Sequence, residues 1–124
     1  PARCEEGAGD GVGEQRFLTA MRDAPDVQFI LDDARRHGYP PGQQRAFVMA
    51  KVLEQARVVI VGSETPDVVR ACKMIPAATV EEALAQAADE LGNDLDVLIV
   101  PHALLTLPVV AGRQSSNEQP ATSE

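Results

Sequence analysis

The stretch Val58-Val-Ile-Val-Gly-Ser-Glu-Thr-Pro66 decides how this chain folds. Four β-branched residues in a row leave no polar face, so the run reads as a strand covered on both sides, as in a parallel sheet. Gly62 ends the run. Thr65-Pro66 then opens a short helix through Cys72, because proline fits a first turn, where its missing N–H costs nothing. Val97-Leu-Ile-Val100 is a second apolar run of the same kind and is the other clear strand. Two strands are too few for an independently stable sheet. A weaker segment, Met74-Ile-Pro76 or residues 104–110, is therefore expected to join them.

Helices fill the intervals. Thr79-Val-Glu-Glu82 matches a capping box, in which hydroxyl and carboxylate satisfy amides that the first helical turn leaves open. Val80, Ala83, Leu84, Ala87, Ala88 and Leu91 then recur at helical spacing until Gly92. Toward the N-terminus, Phe17, Leu18 and Met21 share one side of a short helix. Asp23 and Pro25 introduce a second helix, with Val27, Ile30, Leu31 and Ala34 on its apolar side and Gly38 as its stop. Tyr39-Pro-Pro-Gly42 is a turn. From Gln43 to Gln55 the set Ala46, Met49, Ala50, Leu53 and Ala56 forms one stripe, widened by Phe47, Val48 and Val52, so this helix is expected to be buried on much of its circumference.

This alternation predicts an α/β fold: a small, mostly parallel sheet flanked by helices in a Rossmann-like layered domain. The 124 residues suffice for one such domain, assigned to residues 1–112. Residues 113–124, rich in Ser, Gln, Glu and Pro, are expected to form a disordered tail. Ala2-Arg-Cys4, ahead of a glycine-rich loop over residues 5–13, reads as the end of a strand whose start is missing. The absence of an initiating Met agrees with a processed or cut N-terminus.

Charge narrows the partners. Eleven Lys and Arg against nineteen Asp and Glu give −8, and the cations are scattered rather than gathered into the basic patch a nucleic-acid binder needs. Only four aromatic residues, Phe17, Phe29, Phe47 and Tyr39, are available to stack on bases. The apolar runs fall far short of the ~20 residues of a membrane span. Neither nucleic acid nor membrane is an expected partner. Cys4 and Cys72 have no metal-ligand spacing, and no leader peptide is visible, so reduced thiols and a cytoplasmic location are expected.

Open parallel sheets bind ligands beyond the carboxyl ends of their strands. Those ends are Cys4-Glu-Glu-Gly7, Gly62-Ser-Glu64 and Pro101-His102. The glycine loop fails the dinucleotide pattern, since Val12 and Glu14 replace the third glycine, and Glu5, Glu6 and Asp10 would repel phosphate. Gly62-Ser-Glu64 is most simply a strand-to-helix turn. Next to Cys4 the same glutamates raise a thiol pKa, which argues against a nucleophile. His37 at a helix end is a favourable C-terminal charge. His102 is open to two readings, a ligand or proton carrier and a structural histidine. No catalytic constellation and no metal-ligand set emerges from the spacing.

Several blocks together resemble the C-terminal domain of the nickel-pincer-dependent lactate racemases. They are Ala2-Arg-Cys-Glu-Glu-Gly-Ala-Gly9, Pro41-Gly-Gln-Gln-Arg-Ala-Phe-Val-Met-Ala-Lys51 leading into Val58-Val-Ile-Val-Gly-Ser63, Met74-Ile-Pro-Ala-Ala-Thr-Val-Glu-Glu-Ala-Leu84, and Val100-Pro-His-Ala-Leu-Leu-Thr-Leu-Pro108. The resemblance covers residues 2–112. It implies one half of a two-domain enzyme that interconverts the stereoisomers of a 2-hydroxy acid, with hydride transfer to a nickel pincer nucleotide. In that family the N-terminal domain carries the cofactor lysine and the histidines for nickel and proton transfer. This chain is then the domain that closes the cleft, and it is inactive without that partner. By the same resemblance Gln43, Gln44, Arg45 and His102 are the candidate substrate-binding residues. Arg45 stands where the family often has lysine, and Ala103-Leu-Leu105 where many relatives carry glycines, so the substrate's side chain stays open. The alternative is a stand-alone, non-catalytic interaction or regulatory module with the same fold.

Overall fold

A computed structural model describes residues 12–109. Three helices come first, α1 (Val12–Asp23), α2 (Val27–His37) and α3 (Gln44–Gln55). Then follow β1 (Val59–Val61), α4 (Pro66–Ala71), β2 (Ile75–Ala77) and α5 (Val80–Leu91), with a 3-10 turn at Ala103–Leu105. The fold is α/β, a small parallel sheet flanked by helices.

Local chemistry sets the helix ends. Asp26 caps α2, its carboxylate accepting the Phe29 N–H at 2.7 Å. Gly38, at φ +69°, ends the helix with its N–H on the Ala34 carbonyl, a backbone conformation that favours glycine. Thr79 caps α5, its hydroxyl accepting the Glu82 N–H at 3.1 Å. The Glu82 carboxylate reaches back to the Ala78 N–H at 2.8 Å, one residue before the amide that the capping box predicts. Thr79→Ala is expected to lower stability by about 1 kcal/mol in urea denaturation, with the midpoint falling and the slope unchanged.

The core lies mainly among the first three helices. α3 packs on both α1 and α2, and Met21, Ile30, Leu31, Ala46 and Ala50 are buried between them. Cys72, at the end of α4, closes the same cluster, and Met74 packs against it. Lys73, between them, adopts φ +64°, and its ammonium donates to the Met21 carbonyl near the end of α1. Burial pushes the Cys72 thiol above its ordinary range. A raised folded-state pKa gives stability that is full below the unfolded thiol value, about 8.5, and is lost as pH climbs through the folded one. Thermal melts should therefore lose stability above about pH 9, and Cys72→Ala should remove that part of the loss.

β1 pairs with β2 in parallel, Val59 opposite Ile75 and Val61 opposite Ala77. Thus the weak segment near Met74–Pro76 is the partner strand. The Val97–Val100 strand expected from the sequence is not formed. That run is unpaired, and its first three side chains are 62–82% exposed. A β-branched run makes an extended chain favourable, but a strand exists only where a neighbour supplies the ladder. Residues 104–110 supply no strand over their described part either. α3 is buried on a narrower face than expected, because Val48 and Val52 point to solvent while Ala46 and Ala50 carry the contact. The presumed strand Ala2–Cys4, most of the glycine loop and the tail 113–124 lie outside the described residues.

Candidate functional site

The turn Tyr39-Pro-Pro-Gly42 delivers the chain into α3 without a side-chain cap. Gln43 sits at the cap position in helical conformation (φ −88°, ψ −12°), and its N–H donates to the Pro40 carbonyl at 3.1 Å. Gln44 folds back, its side-chain oxygen accepting the Gly42 N–H at 2.6 Å. With no side-chain cap, the first-turn backbone amides of Gln44 and Arg45 have no acceptor among the described residues. They point out of a helix whose dipole makes that end positive.

Two arginines belong to this region. Arg45 is exposed and lies 3.9 Å from the Glu14 carboxylate of α1, a loose ion pair. Arg16, also on α1, donates to the Pro41 carbonyl at 2.5 Å and ties the turn to that helix. Neither Glu14 nor Arg16 is marked by any motif. Both are brought here by the packing of α1 on α3, which sequence spacing does not show. One turn into α3 the Phe47 ring stacks obliquely on Tyr39, with centroids 5.7 Å apart, and Lys51 stands over it at 5.8 Å.

Chemically, this end of α3 has features that suit an anion. Open amides, a helix dipole and an exposed guanidinium all favour negative charge, and a planar guanidinium matches the two oxygens of a carboxylate. Gln43 also lines a cavity of about 220 Å³ on the inner side, where Asp23 and Asp33 supply carboxylates. Asp33 already meets His37, at 3.0 Å, across one helical turn. Carboxylates on that side disfavour an anion, whereas Arg45 favours one.

Gln43, Gln44 and Arg45 share the start of α3, and His102 lies at the start of the 3-10 turn. His102 is exposed and precedes the 3-10 turn, and its carbonyl accepts from Leu105 N–H at 2.9 Å and Thr106 Oγ1 at 2.8 Å. No hydrogen bond or ion pair among the described residues joins it to the α3 end. Ser63 accepts the Thr65 N–H at 3.2 Å, so Gly62-Ser-Glu64 is the strand-to-helix turn the sequence suggests. Among the described residues no three His, Cys, Asp or Glu side chains gather where they could hold a metal ion. No helix among them is long and apolar enough to cross a membrane.

A sequence model described as the lactate racemase C-terminal domain matches residues 2–107. No curated protein and no solved structure gives a significant match.

Proposed function

Because the chain belongs to the lactate racemase C-terminal domain family, matched over residues 2–107, we propose that it is the cleft-closing domain of a 2-hydroxy-acid racemase and that the start of α3 holds the substrate carboxylate. The observation that carries this reading is Arg45 standing beside two open amides at a positive helix end. A substrate carboxylate displaces Glu14 from Arg45 and takes two parallel N–H bonds from the guanidinium. The Gln44 and Arg45 amides bind the same group from the helix side, and the Gln43 carboxamide is placed to hydrogen-bond the neighbouring hydroxyl. Together these contacts fix the orientation of the α-carbon. His102 reaches the substrate only when the domain closes on its partner.

A family named for a C-terminal domain implies a companion N-terminal domain. In this reading the pincer nucleotide is held by that companion. Bound there, the nucleotide supplies the hydride acceptor. This chain contributes binding, orientation and exclusion of water.

Co-expression with a matching N-terminal domain carrying its nickel cofactor tests the proposal. Chiral chromatography should then show the two enantiomers of a 2-hydroxy acid interconverting, with neither domain active by itself. A complex that turns over no member of a 2-hydroxy-acid panel would overturn the reading. Failure to bind any such domain would favour the stand-alone interaction module.

A further inference from the structure

The two strands differ in what their outer edges offer. Ile75 N–H donates to the Val58 carbonyl and Gly62 N–H to the Ala77 carbonyl, which fixes the direction of every group in the ladder. Ile75 and Ala77 face β1, so the position of Pro76 faces away, and there proline has no N–H to give. The outer edge of β2 is thereby closed to a further strand. On β1 the same alternation aims the amides and carbonyls of Val59 and Val61 outward, where the described residues provide no partner.

A candidate partner lies close by in sequence. Val97–Val100 is apolar on both sides and carries no charge, the pattern of a strand buried on both faces, yet it stands in solvent. Pro101 ends it. The tether is the right length and leaves from the right place. Arg57, just ahead of β1, pairs with Glu90 near the end of α5 at 2.5 Å, so α5 ends level with the start of β1. Residues 92–96 span up to ~17 Å at about 3.4 Å each, against a strand spacing of ~4.8 Å. Placement of α5 agrees. It packs on β1 as well as β2, as a helix must when it crosses from β2 over β1 to the far side. Its Leu84 and Leu91, seven residues apart on one face, remain 47% and 74% exposed. Leu91 also lines an unfilled groove of about 600 Å³ with Leu53, Val59, Ile75 and Ala87.

We propose that the outer edge of β1 is a seat for Val97–Val100, which closes onto it as a third parallel strand in the order β2, β1, 97–100. The domain then has an open state, with the segment free, and a closed state with the sheet completed. Closure carries Pro101-His102 to the carboxyl end of β1, beside Gly62-Ser63. The inference rests on the ladder and the tether and is independent of the substrate-carboxylate reading.

Amide hydrogen exchange by NMR on the full chain, repeated over a range of protein concentrations, tests it. Closure predicts that alternate amides within Val97–Val100, together with Val59 or Val61, exchange at least ~100-fold more slowly than in an unstructured chain, at every concentration. Free exchange at all four positions of the segment would overturn the proposal. So would protection that appears only as the protein dimerises, since the occupant of the seat would then be a second copy.

Discussion

Leu31→Ala should be the most damaging single truncation in the core, with an expected loss of about 2–5 kcal/mol. Leu31 is fully buried, and with Met21 it is one of the two largest side chains sealed from solvent. The neighbours that would have to collapse into the space include Ala46 and Ala50, which have no rotamers with which to fill it. Residual cavity therefore adds to the lost transfer free energy. The remaining core is shallow: Ala24, Ala46, Ala50 and Ala77 make up much of what is buried. Small domains have only a modest surplus of stability, so a loss of this size populates the unfolded chain measurably at room temperature. Urea denaturation followed by far-UV circular dichroism reads the effect directly. Leu31→Met, which keeps the volume, should cost less than about 1.5 kcal/mol. If the alanine variant loses less than 1 kcal/mol, the helical cluster is not what holds the fold.

The parts of this fold that were legible in the sequence are those fixed by neighbours along the chain. Thr79 with Glu82, Gly38 and Gly92 mark helix ends because a cap acts within one turn. The lead strand was legible because four β-branched residues meet a glycine. What the sequence hid depends on distant partners. β2 is three residues long and contains a proline, so its only strong credential is the ladder with β1. Val97–Val100 has better strand composition than β2 and yet no ladder, so composition alone ranked the two in the wrong order. Val48 and Val52 misled for a related reason. An apolar side chain at helical spacing marks a face that can be buried, and only the placement of α1 and α2 decides how far round α3 burial extends. At the candidate site, Gln43, Gln44 and Arg45 were legible as a helix start. The Glu14 and Arg16 side chains that flank it arrive from a helix about thirty residues earlier.

Those two side chains shape the second large effect, which concerns the turnover that the proposed function expects of the chain joined to its companion domain. In the proposed reading Arg45→Ala removes one charge-assisted interaction, the guanidinium–carboxylate pair as a whole, which at this exposed site is worth about 1.5–3 kcal/mol. The expected loss is ~10- to 150-fold in kcat/KM. Stability should not change, because Arg45 is exposed and its pairing with Glu14 at 3.9 Å is loose. Arg45→Lys keeps the charge but loses the planar fork, so it should recover part of the lost rate. Glu14→Gln works in the opposite direction. If Arg45 holds the substrate carboxylate as proposed, Glu14 competes for the same guanidinium, and neutralising it should lower KM while leaving kcat close to its starting value. Arg16→Ala separates positioning from binding: Arg16 holds Pro41 and through it the turn that leads into α3, so its loss should weaken substrate binding without removing the anion's partner. Initial rates over a substrate series at low and high ionic strength distinguish these cases, since added salt screens the exposed Arg45 and mimics its partial removal. An Arg45→Ala enzyme with unchanged kcat/KM would show that the carboxylate is held elsewhere, even if racemisation itself is restored by the companion domain.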